Sequence, residues 1–122
     1  LDIICNRSGA RRLIFHAPIQ HIEKKRTKKD GDTIIHHSYT TILPVDLQRF
    51  LGYTDKIFYH VVDGRVLLGG VDDEGYSIRK DNVITIPLKF FDPAGFDEVL
   101  FIVDLNRSVD TPYVLMKLGM VK

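Results

Sequence analysis

Residues 41–68, TILPVDLQRFLGYTDKIFYHVVDGRVLL, carry the pattern on which the fold turns. Thr41, Ile42 and Leu43 are extended and apolar. Pro44 stands where a first helical residue tolerates a missing N–H, and Leu47, Phe50 and Leu51 recur at helical spacing over residues 45–51. Gly52 closes that helix, since a glycine just past the last periodic residue supplies the left-handed conformation without a Cβ penalty. Residues 57–62 are β-rich, Asp63-Gly64 is a strong two-residue hairpin signal, and residues 65–68 return. The unit therefore reads as a strand end, one short helix and a hairpin. On that hairpin Ile57, Tyr59, Val61, Val66 and Leu68 share one face, and Phe58, His60, Val62 and Leu67 share the other. Both faces are largely apolar, so the sheet needs cover on two sides.

A similar unit returns in residues 84–104, ITIPLKFFDPAGFDEVLFIVD. Pro44 matches Pro87, Leu47 matches Phe90, Gly52 matches Gly95, Tyr53 matches Phe96, Ile57 matches Leu100 and Phe58 matches Phe101, all at one shift of 43 residues. Proline and glycine falling in step with the aromatics indicate an internal duplication. The copies have diverged. Pro93 stands where the first copy has Phe50, which limits the second helix to a turn or two between Leu88 and Asp92. The stretch Gly69 to Gly75, with Asp72, Asp73 and Glu74 inside it, reads as an acidic linker between the copies.

Taken together, the strand, the Leu-Pro or Ile-Pro step, the short helix ending in Leu-Gly, the acidic turn and the Asp-Gly hairpin resemble the AbrB/MazE/SpoVT type of swapped-hairpin DNA-binding domain. In that family two copies interlock into one small β-barrel, usually as a homodimer. Two copies in one chain is similar to the arrangement of the MraZ proteins. The resemblance covers about residues 13–117 and is best in the first copy. It implies a mostly β, pseudo-twofold swapped-hairpin β-barrel of two tandem strand-strand-helix-strand-strand repeats, residues 11–70 and 71–122, together forming one domain. It also implies DNA contacts from basic residues on the first hairpin of each copy. The family's Arg-Lys pair before the Ile-Pro strand matches Arg79 and Lys80, and residues 24–29 match it loosely in the first copy. The second hairpin is shorter and the first longer than the family's, so the symmetric DNA-facing surface of the homodimers does not carry over directly.

Composition is that of an ordinary globular domain, 122 residues with 44% hydrophobic and 27% charged. The net charge of +1 hides a division. Through Thr41 eight basic residues (Arg7, Arg11, Arg12, Lys24, Lys25, Arg26, Lys28, Lys29) face four acidic ones (Asp2, Glu23, Asp30, Asp32), and the remainder is net negative. A polyanion therefore has a side to prefer. The single Cys5 offers neither a disulfide nor a cysteine-rich zinc site, no apolar run is long enough to cross a bilayer, and no signal-peptide pattern is visible, so a cytoplasmic location is expected.

The basic run Lys24, Lys25, Arg26, Lys28 and Lys29 sits between two β-rich segments, residues 13–22 and 33–43. With Asp30-Gly31 as a two-residue turn, Lys25 faces His36, Ile22 faces Tyr39 and Ile19 faces Ile42. Pro18 places the first strand at an edge or bends it. A hairpin tip gives lysines the reach to neutralise phosphates, and Arg11 and Arg12 add to that surface if the strand begins there. The competing reading is a solvated turn guarded against edge aggregation by its lysines. Arg26 or Arg79 supplies any base readout, because arginine pairs bidentately with guanine.

His36 and His37 point to opposite faces of a strand and cannot share a metal without a bulge, so no metal site and no cofactor are expected. No nucleophile motif or phosphate-binding glycine loop is present, so no catalytic residues and no enzyme activity are expected. The reading is a DNA-binding protein, a transcriptional regulator or architectural factor, with RNA as a possible substitute and a homodimer as a possible assembly. The alternative is a protein-interaction module, antitoxin-like or part of a larger assembly, that docks through Phe58, Val62 and Leu67.

Overall fold

The computed structural model describes residues 2–5, 11–70, 75–104 and 114–120. The acidic run of the expected linker, residues 72–74, lies outside them. The chain is mostly β. In order it forms β1 (Asp2–Cys5), β2 (Arg11–Pro18), β3 (Gln20–Thr27), β4 (Thr33–Ile42), α1 (Val45–Leu51), β5 (Lys56–Ile57), β6 (Tyr59–Val62), β7 (Arg65–Leu68), β8 (Tyr76–Ser77), a 3-10 turn (Lys80–Asn82), β9 (Val83–Thr85), β10 (Glu98–Asp104) and β11 (Val114–Gly119).

Three antiparallel sheets result: β1-β2-β10-β11-β7-β6, β3-β4-β9 and β5-β8. Nothing joins β1 to β6 among the described residues, so the expected closed barrel is not formed. Pro18 explains part of this. The chain leaves the large sheet at that proline, Ile19 donates its N–H to the Asp97 carbonyl at 2.9 Å, and β3 enters the second sheet. What reads as one strand is two, in different sheets.

The three sheets surround one core. Leu43, Leu47, Ile57, Leu68, Ile84, Ile86, Val99, Phe101 and Val114 are almost fully buried in it. α1 follows its sequence signals. Pro44 is its N-cap, Leu47 and Leu51 face the core one turn apart, and Gly52 is left-handed at φ 73°. Gly52 and Tyr53 donate to the carbonyls of Arg49 and Gln48, which satisfies the end of the helix. Phe50, expected on the helix's apolar face, is 44% exposed. The Asp63-Gly64 turn between β6 and β7 is also as read, with both residues at positive φ.

The two similar stretches meet at β4 and β9. Thr41 pairs with Ile84, its own counterpart at the shift of 43, flanked by Thr40 with Thr85 and Ile42 with Val83. Leu43 donates to the Asn82 carbonyl and Ile86 donates to the Tyr39 carbonyl, each at 2.8 Å, and the same shift converts one bond into the other. Likewise Gln48 donates to Pro44 and Phe91 to Pro87. Gly52 and Gly95 are both left-handed. After Pro87 only a single turn forms, so the second helix is absent.

The match fails in β10. Val99 and Phe101 are buried there while Leu100 is half-buried, so Ile57 and Tyr59 of the first stretch correspond to Val99 and Phe101. The connection from glycine to strand is one residue shorter in the second stretch, and a slip of one residue exchanges the faces of a strand. β8 pairs with β5, and across the turn that leads to β9 Arg79 donates its N–H to the Val83 carbonyl at 2.8 Å. No helix among the described residues is long and apolar enough to cross a membrane.

Candidate nucleic-acid interface

The β3–β4 hairpin is closed by three residues, Lys29, Asp30 and Gly31, rather than by two. Lys28 donates to Asp32 at 2.7 Å, Gly31 donates to Lys28 at 3.0 Å, and Gly31 takes φ 92°. The Asp30 carboxylate accepts the Asp32 N–H at 3.1 Å, a bond that favours the tight turn before the glycine. One additional loop residue moves every pair by one. Lys25 faces Ile35, Lys24 faces His36, Glu23 faces His37 and His21 faces Tyr39. The expected pairing of Lys25 with His36 and Ile22 with Tyr39 is therefore corrected, as is that of Ile19 with Ile42, since Ile42 pairs with Val83 and Ile19 bonds Asp97.

Burial divides the hairpin. Thr40 and Thr41 at its root are buried and Tyr39 packs against the core, whereas every residue from Glu23 to Thr33 is exposed. Strand alternation puts Lys24 and Arg26 on one face and Lys25 on the other, with Lys28 and Lys29 at the turn. None of these five cations is ion-paired with a described residue. Positive charge thus surrounds the outer half of a hairpin that is exposed throughout among the described residues.

The other expected cations are placed elsewhere. Arg79 and Lys80 precede β9, and Arg79 Nη2 donates to Thr85 Oγ1 at 3.2 Å. β9 pairs with the end of β4 remote from the lysines, which at about 3.3 Å per residue puts Lys24 roughly 17 Å and Lys28 roughly 30 Å away along the strand. Arg11 and Arg12 lie in β2 of the large sheet, and their side chains are outside the described residues. The nine expected contact residues therefore form at least two groups rather than one patch.

Sequence reading missed a third constellation. On the Lys25 face, His21 Nε2 lies 2.9 Å from His37 Nδ1, and Glu23 Oε1 lies 3.7 Å from the same nitrogen. The His21 ring stacks on Tyr39 with centroids 4.5 Å apart. His36 points to the opposite face, as expected, and His16 belongs to β2, where it bonds Glu98 at 3.1 Å. The signal was His-Ile-Glu in β3 facing His-His in β4, legible only with the three-residue loop in place.

The proposed protein-docking residues do not form one exposed patch. Phe58 and Leu67 are half-buried, Phe58 meets Tyr53 edge-on at 5.5 Å, and Val62 is exposed. Beside β6 lies an open groove of about 440 Å³, lined by Tyr59, Val62, Tyr76, Lys89 and Phe90 among others. The buried Tyr59 hydroxyl has no hydrogen-bond partner among the described residues. Burial first, then the neighbouring Tyr76 and Tyr53, raises its pKa above the ordinary value of 10.0.

That shift has a defined sign. Above pH 10 the unfolded chain loses this proton while the folded chain keeps it, so stability falls with rising pH. Tyr59→Phe is expected to flatten that alkaline decline. At pH 7 it is expected to leave the urea midpoint unchanged or to raise stability by about 1 kcal/mol, because a buried unbonded hydroxyl is removed.

Comparison with protein-family models, with curated proteins and with solved structures gives no match. The functional reading therefore stands on the chain's own residues.

Proposed function

We propose that the chain is a DNA-binding protein, of regulatory or architectural kind, that contacts the phosphate backbone through the β3–β4 hairpin. The observation that carries this reading is the outer hairpin itself, whose five cations are exposed and, among the described residues, form no ion pair. The reciprocal bonds at Thr41 and Ile84 support a further part of it, that the two halves are diverged copies of one swapped-hairpin unit. Arg26 and Arg79 are the candidates for base readout, the first beside the lysines and the second at the remote end of the same sheet.

Fluorescence anisotropy against a random-sequence duplex tests the proposal. Micromolar binding at low salt is expected, weakening by about two orders of magnitude between 50 and 200 mM salt if about four phosphates are neutralised. Absence of binding at low salt rejects it. A matched RNA duplex distinguishes the two polyanions.

One observation favours a second reading, an interface with another protein chain. β6 is an edge of the large sheet, and Val61 and Val62 on it are 54% and 49% exposed. No described strand pairs with the outer side of β6, and an open apolar edge invites strand pairing. If it pairs with a second copy, light scattering detects a dimer, and Val62→Lys converts it to monomer at the same concentration. A chain that is monomeric from the start removes the homodimer.

A further inference from the structure

We propose that His21, Glu23 and His37 bind a divalent transition metal of the zinc class on one face of the β3–β4 hairpin. The inference is independent of nucleic-acid binding. Its ligand atoms are His21 Nε2, His37 Nδ1 and a Glu23 carboxylate oxygen, which all lie within 4.8 Å of one another.

The spacing suits one ion. Two imidazole nitrogens at about 2.0–2.1 Å from a zinc ion stand roughly 2.9–3.4 Å apart for bond angles of about 90–110°. His21 Nε2 and His37 Nδ1 are already 2.9 Å apart. Glu23 Oε1, at 3.7 Å from His37 Nδ1, needs only a side-chain adjustment to complete the set, and solvent reaches the remaining position because all three residues are exposed. Two imidazoles and one carboxylate form a donor set that zinc accepts with water as its fourth ligand. Calcium and magnesium prefer oxygen throughout and are disfavoured by two nitrogen donors.

The arrangement is held by strand pairing. Glu23 is directly opposite His37, and His21 lies two residues before Glu23 on the same face. Tyr39, opposite His21, stacks on its ring with 6° between the planes, and His37 stacks on the other histidine at 5.1 Å. Both rings are thus oriented before a metal arrives, which lowers the cost of ordering the ligands.

The proton balance is simple. In the empty site one ring donates a hydrogen to the other across the 2.9 Å gap. Metal binding needs both inner nitrogens as lone-pair donors, so the donating neutral ring carries its proton on its outer nitrogen instead. An imidazolium ring would release that proton to solvent. Two metal–nitrogen bonds and one metal–oxygen bond replace waters of the ion. The carboxylate offsets half of the metal charge, and Lys25, next on this face, opposes the remainder.

Isothermal titration of the full chain with zinc chloride, with cobalt(II) absorption as a second readout, tests the site. One metal per chain is expected, with micromolar affinity. His21→Ala and His37→Ala are each expected to weaken binding by at least about 100-fold and Glu23→Gln by about tenfold, on the scale of disturbed metal sites. His36→Ala, adjacent in sequence but on the opposite face, is expected to bind like the parent. Glu23→Gln keeps the side chain's size and serves as the test should a histidine variant fail to fold. Absence of zinc uptake overturns the proposal. So does parent affinity in the His21 and His37 variants, or a loss in His36→Ala equal to theirs.

Discussion

Replacing Lys24, Lys25, Lys28 and Lys29 together by alanine is expected to weaken duplex binding by about three orders of magnitude at low salt and to flatten its salt dependence. Each lysine that neutralises a phosphate releases condensed counterions, so removing four such contacts lowers the slope of log affinity against log salt by about 3.6. The loss should be nearly uniform across sequences, because lysines at phosphates position the protein without reading bases. Folding should be spared, since the four side chains are exposed beyond the packed root of the hairpin. Arg79→Ala provides the contrast. Its position at the far end of β4 predicts a smaller effect, confined to particular sequences if Arg79 reads a base. Unaltered affinity in the quadruple variant would move the phosphate contact off the hairpin.

Phe101→Ala is expected to cost about 3–5 kcal/mol of stability. Phe101 is fully buried in β10, a strand that pairs on both sides, facing Phe15 on β2 and Met116 on β11. Its removal leaves a void that those neighbours cannot close without breaking strand register. Against a typical domain stability of about 5–15 kcal/mol, that is enough to lower the melting temperature by about 10–20 °C. Leu88→Ala is the control, because Leu88 is 57% exposed and should shift stability by no more than about 0.5 kcal/mol. Urea denaturation of the pair checks the core. A loss below about 1 kcal/mol for Phe101→Ala would contradict its placement.

What was legible in the sequence was what local chemistry controls. Pro44 and Gly52 bound α1, Asp63-Gly64 turns β6 into β7, and Pro18 breaks the first strand, because each depends on backbone preferences of one or two residues. Register was less legible. At β3–β4 the Asp30 carboxylate and the left-handed Gly31 select a three-residue loop where the residue types also allowed two, and at β10 a single missing residue reverses which side chains are buried. The open large sheet, the pairing of β8 with β5 and the exposure of Phe50 depend on packing between distant segments, which periodicity does not encode. The candidate site followed the same division. The lysine run was visible as composition, whereas the His21, Glu23 and His37 cluster was hidden behind the one-residue error in register.

The place of β2 in the large sheet has a consequence for how the protein comes into being. β1 can pair with β2 early, but the other flank of β2 belongs to β10, where Pro18 faces Glu98 and Leu13 faces Val103. During synthesis that flank must wait until β10 has left the ribosome, while the β3–β4 hairpin, α1 and the β6–β7 hairpin can all form beforehand. Contacts between such distant segments slow folding and leave strand edges exposed in the interval. Nascent chains stopped before β10 should therefore bear a bare apolar strand, the state in which a chaperone has most to hold.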